Sequence, residues 1–130
     1  MEWSKEYGVN REAWEKFDGF LRQAVVDARG SQTWDAPVMI VLAGEREPQP
    51  APEIPRGRDR AQRIAERASG FERETTDLIE TLAALGARDV ETFWINRTIS
   101  ARLNLRALDV IGRREEVKQI MLVRKLQALI

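Results

Sequence analysis

From Asp59 to Leu85 the apolar side chains fall at Ala61, Ile64, Ala68, Phe71, Leu78, Leu82 and Leu85, with Thr75 in the one remaining step. Alternating steps of three and four put them all on one face of an α-helix. Gly86 supplies a stop, and Gly70 weakens the middle by about 1 kcal/mol relative to alanine. A face this long cannot bury itself. It needs a broad apolar partner, and the flanking sequence points to a sheet.

"PVMIVLAG" (37–44) is a short β-branched run after a proline and reads as a buried strand. "DVETFWIN" (89–96) and "TISARLN" (98–104) alternate, are rich in β-branched and aromatic residues, and read as a hairpin with Phe93, Ile95, Ile99, Ala101 and Leu103 on one face. "LRALDVIGRR" (105–114) is a short helix using Leu105, Leu108 and Ile111, and "EVKQIMLV" (116–123) closes as a strand. The order β-α-β-β-α-β predicts an α+β fold: a ferredoxin-like, four-stranded antiparallel sheet with both helices on one face. Leu78, Leu82, Ile99, Leu103, Leu108 and Ile120 should share its core.

Ahead of this pattern, Asn10 to Gly30 reads as one helix, with an Asn cap, a terminal glycine, and a stripe of Trp14, Phe17, Leu21, Ala24, Val25 and Ala28. The expected organisation is an N-terminal helical extension (1–36) and a domain over 37–130. A chain beginning at Asp35 should then fold by itself. Residues 45–58 hold four of the five prolines and read as an extended connection.

The chain has 130 residues, 43% of them hydrophobic, which suits one globular domain. It contains no histidine and no cysteine, so a His-based triad, a thiolate nucleophile and a His or Cys metal site are all excluded. Its eight glycines fit no phosphate-cradling loop. The expectation is a protein that is not an enzyme and uses no metal or cofactor. Basic and acidic residues balance at 21 each, although 1–55 carries ten acids against six bases and 56–130 eleven against fifteen. An RNA-recognition module shares the element order, but "TISARLN" lacks the aromatic residues on which bases stack, so no nucleic-acid partner is expected. The arginine-rich run 56–73 reads as a solvated helix face. No leader pattern and no apolar run of about 18 residues occurs. The expectations are no membrane partner and a cytoplasmic location.

The stretch "FWINRTISARLNLRALDVIGRREEVKQIMLV" (93–123) resembles the second half of the propeptides of subtilisin-like serine proteases, domains that fold the protease and then block it. The likeness lies in "SARLN" (100–104), the small helix with Leu108 and Ile111, and "EEVKQI" (115–120). Val117 and Ile120 stand there where the family has Val-x-x-Val/Ile. "LIETLAALGAR" (78–88) is similar to the end of the family's first helix, and "VMIVLAG" is consistent with its first strand. Residues 1–36 have no counterpart.

The resemblance implies that the sheet's open face packs on two helices of the protease. It also implies that the C-terminal tail, "VRKLQALI" (123–130), lies product-like in the active-site cleft through Leu126, Gln127, Ala128, Leu129 and Ile130. An ungapped extension from Ser100 gives Leu126 and Leu129 to the S4 and S1 subsites; the other register gives Gln127 and Ile130. Trp94, Asn96 and Arg97 at the hairpin are candidate interface residues. The family often places acids at the hairpin edge and in the last strand, where this chain reads Asn96-Arg97-Thr98 and Met121-Leu122-Val123. With no catalytic domain following, the implied role is inhibition or assisted folding of a subtilisin-like protease in trans. The other reading is an interaction adaptor on the same fold that contacts no protease.

Overall fold

The computed structural model describes residues 2–44 and 58–123. A 3-10 turn at Lys5–Tyr7 leads into α1 (Arg11–Lys16), α2 (Gly19–Ala28), β1 (Asp35–Leu42), α3 (Arg58–Ala84), β2 (Arg88–Phe93), β3 (Thr98–Asn104), α4 (Leu105–Gly112) and β4 (Val117–Leu122). The strands form one sheet in the order β2-β3-β1-β4, and every neighbouring pair is antiparallel. Hence β1 and β2 run parallel with β3 between them, and β3 and β4 run parallel with β1 between them. These are two interlocked split βαβ units, an α+β architecture.

β1 alternates strictly, with Ala36, Val38, Ile40 and Leu42 buried. Register places Ile40 beside Ile99 on one side and Ile120 on the other. The helices cover this face. Leu78 and Leu82 of α3, Leu105, Leu108 and Ile111 of α4, and Leu103 of β3 complete one continuous core. Asn104 ends β3 and caps α4 in the same step, its side chain accepting from the Ala107 amide at 2.8 Å.

Three local expectations change. First, the helix expected over 10–30 is two helices. Phe17 and Asp18 have extended backbone, and Asp18 caps α2 by accepting from the Leu21 amide at 2.9 Å. The Asp18-Gly19 pair is a turn signal that the apolar spacing conceals. Second, α3 outruns the sheet. Its 27 residues span about 40 Å, whereas an eight-residue strand spans about 26 Å. Ala61 and Ile64 are therefore exposed, and burial begins in earnest at Phe71. Third, the hairpin's alternation breaks at its turn. Phe93 pairs with Thr98 and faces away from the core, and Ile95 is 81% exposed. Arg97 closes the turn with φ +53°.

The packing shows no seam at residue 36. Val9, Ala13, Trp14, Phe17, Leu21 and Val25 belong to the same core as the sheet. α1 lies against α4 so closely that a Cβ on Gly112 would stand 2.5 Å from the Ala13 Cβ. Asp109 accepts from the Asn10 amide at 2.6 Å, and Lys16 donates to the Arg114 carbonyl at 2.8 Å.

Candidate protein-docking face

Because side chains alternate along a strand, the face opposite the helices carries the other half of each strand. From β1 it takes Pro37, Met39 and Val41, and from β4 Gln119 and Met121. From β3 it takes Thr98, which is buried between Val41 and Phe93, with Ser100 and Arg102, and from β2 Glu91 and Phe93. None of the described elements covers this face. Met39 stands between Ser100 and Met121 in register, so the β1–β4 half of the face is apolar and polarizable while β3 lines it with polar side chains. Phe93 at 40%, Ile95 at 81% and Val123 at 38% exposure extend the apolar surface outward.

Two depressions mark the face. One of about 270 Å³ is lined by Pro37, Met39, Phe93, Ser100, Arg102 and Val123. The other, about 700 Å³, lies at the opposite end among Val41, Ile95, Asn96 and Lys118. Beside the first, Asp35 joins three strands. Its carboxylate takes Arg102 at 2.8 Å on one oxygen and Arg88 on the other. The hydrogen bond from Arg102, then that from Arg88, holds the Asp35 carboxyl below its ordinary value. The rim is thus internally paired, and the apolar contact surface lies along β1 and β4. An apolar patch with a polar rim is the anatomy of a protein interface.

The residues expected at the interface divide. Asn96 is exposed, its Oδ1 accepting from the Thr98 hydroxyl at 2.8 Å. Trp94 is half-buried against the core. Arg97 is committed internally. Its guanidinium donates to both Glu74 oxygens at 3.1 and 2.6 Å, donates to the Ala43 carbonyl at 3.2 Å, and stacks 5.7 Å from the Phe71 ring centre. The hydrogen bond from Arg97 holds the Glu74 carboxyl below its ordinary value. Arg97 therefore clamps the hairpin and the end of β1 to α3. Leu126, Gln127, Ala128, Leu129 and Ile130 lie outside the described residues.

Sequence reasoning missed Met39, Met121, Phe93 and Ile95 as face residues. "VMIV" is apolar at every position, so its alternation cannot tell the covered side from the open one. Among the described residues no cluster of acidic side chains is placed to hold a metal ion, and no helix is long and apolar enough to cross a membrane. No protein-family model, curated protein or solved structure matches the chain.

Proposed function

We propose that this protein inhibits, and assists the folding of, a subtilisin-like serine protease acting in trans. The open sheet face docks on the protease, and the C-terminal tail enters the active-site cleft. The observation that carries this reading is the uncovered face of a four-stranded split-βαβ sheet, apolar along β1 and β4 through Pro37, Met39, Val41 and Met121, with Phe93 beyond the polar side chains of β3. Val123 stands at its C-terminal margin, still tied to β1 through its amide and the Pro37 carbonyl at 2.9 Å. β4 thus ends beside the depression that Pro37 and Val123 line. The sequence resemblance supplies the partner class, and strand pairing in the cleft supplies the mode.

The test is an inhibition constant against subtilisin with a chromogenic peptide substrate. The full chain should inhibit at a defined stoichiometry. Removing Lys125 to Ile130 should abolish inhibition with little change in melting temperature, and Leu126→Ala and Leu129→Ala should each weaken it by about tenfold. Met39→Glu should weaken binding comparably by placing an unpaired charge among the apolar side chains of β1 and β4. Full inhibition by the tail-deleted chain would refute the cleft mechanism. Full inhibition by Met39→Glu would refute docking through this face. An adaptor that contacts no protease would leave subtilisin fully active.

A further inference from the structure

β2 and β3 do not pair evenly. Arg88 stands opposite Arg102 and Glu91 opposite Ser100, so two residues of β2, Asp89 and Val90, face the single Ala101 of β3. This is a β-bulge, and Asp89 is its extra residue, with φ +55°. The bulge changes direction along the strand. Arg88 and Glu91 lie on the same face, although in a regular strand their odd separation would put them on opposite sides. Val90 packs against the core, while Asp89 is exposed and lines the depression of about 270 Å³ on the open face.

The charges around this depression are unequally satisfied. Asp35, beside it, is paired with both Arg102 and Arg88. Arg102 lines the depression too, but its guanidinium is held by Asp35 at 2.8 Å. No hydrogen bond or ion pair among the described residues engages the Asp89 carboxylate. The apolar wall is made by Pro37, Met39 and Phe93, the last 40% exposed. A volume of about 270 Å³ falls below that of an ordinary small-molecule site and suits one inserted side chain.

We propose that this depression receives a basic side chain, arginine or lysine, from a protein partner: the stem lies on the wall of Pro37, Met39 and Phe93, and the charged head meets the Asp89 carboxylate. Long basic side chains fit such a place because their stems are apolar and only the tip is charged. An aromatic ring in the wall adds attraction for the cation. Charge complementarity favours this occupant over an apolar side chain, which leaves Asp89 unanswered. It also disfavours an acidic one, which Asp89 repels while Arg102 is spent on Asp35. That the residue belongs to a docking partner rests on the function proposed above; the preference of the depression for a basic side chain does not.

The experiment is an NMR titration of the full chain with three probes: N-acetyl-arginine amide, N-acetyl-norleucine amide and N-acetyl-glutamate amide. It is repeated on Asp89→Asn. Asparagine keeps the size of aspartate and also tolerates a positive φ, so the bulge is retained. In the wild type the arginine probe should shift the Phe93, Ser100 and Arg102 backbone amides saturably and bind about threefold more tightly than norleucine. Asp89→Asn should bind those two probes alike, with its β1 and β4 amide shifts unchanged. Absence of saturable arginine binding overturns the proposal, as does a preference that survives Asp89→Asn. Tighter binding of the glutamate probe would assign the depression to Arg102 and an acidic side chain. Shifts at the same amides on concentrating the protein alone would assign it to a second copy; either result overturns the proposal. A chain that keeps the preference but does not inhibit subtilisin loses only the protease reading, and an inhibitor without the preference loses only this subsite.

Discussion

Gly112→Ala isolates the contact that fastens the N-terminal helices to the domain. Gly112 ends α4, where alanine would ordinarily be preferred by about 0.5–1 kcal/mol for backbone entropy. Its neighbour forbids the gain. The new Cβ would meet the Ala13 Cβ at 2.5 Å and the Ala13 Cα at 2.9 Å. The second contact is backbone, so no side-chain rotation relieves it and α1 must move off α4. Overpacking of this kind costs about 1–3 kcal/mol, which exceeds the propensity gain. The net expectation is a loss of about 1–2 kcal/mol, or a fall of several degrees in melting temperature for a domain of this size. Urea unfolding followed by tryptophan fluorescence reads it directly, because Trp14 is buried on the same helix as Ala13. Adding Ala13→Gly should recover part of the loss by removing the nearer clash. A Gly112→Ala protein as stable as the wild type would mean that α1 does not sit on α4, and the single continuous core would be wrong.

Removing residues 1–34 should leave a poorly folded chain, because it strips Trp14, Phe17, Leu21 and Val25 from the core and uncovers the β4 edge; a cooperative melt of that fragment at the wild-type temperature would refute this. Leu82→Ala should cost about 2–5 kcal/mol in urea unfolding, since Leu82 is fully buried between α3 and the sheet. Asp35 titrates below its ordinary 3.8 in the folded state, so its stabilisation is complete above that value and is lost as pH falls through the lowered folded value. Asp35→Asn should therefore flatten the acid limb of the stability curve in that window, and an unchanged limb would show that the Arg102 and Arg88 contacts do not persist in solution.

The elements and their order follow from the sequence because each is written in short-range periodicity. The 3.6-residue stripe of Leu78 and Leu82 and the alternation of Ile99, Ala101 and Leu103 are local signals that the fold obeys. Leu78, Leu82, Ile99, Leu103, Leu108 and Ile120 do meet in one core. Periodicity names the faces of an element, yet it cannot say how far the opposing element extends or which face stays uncovered. The first turns of α3 carry the right spacing and remain exposed because the sheet is shorter than the helix. Phe93 and Ile95 continue the apolar pattern of the hairpin, but the β2–β3 register pairs Phe93 with Thr98 on the open face, and Ile95 falls in the exposed turn. "VMIV" supplies apolar residues to both sides of β1, so which side stays open is decided only when α3 and α4 settle on the other.

The interaction between the two ends of the chain belongs wholly to tertiary structure. Asp18 and Leu122 lie 104 residues apart. The apolar spacing hides Asp18 inside one long helix, and nothing within its neighbourhood announces that its oxygen also closes a strand edge. Likewise Arg97 reads as an exposed turn residue until Glu74, Ala43 and Phe71 converge on its guanidinium. The four strands, α3, α4, their order and the sheet-side core were legible in the chain, because these depend on neighbours three or four residues away. Which sheet face was left uncovered, and which residues were consumed in holding the fold, depended on contacts that exist only once the chain has closed on itself.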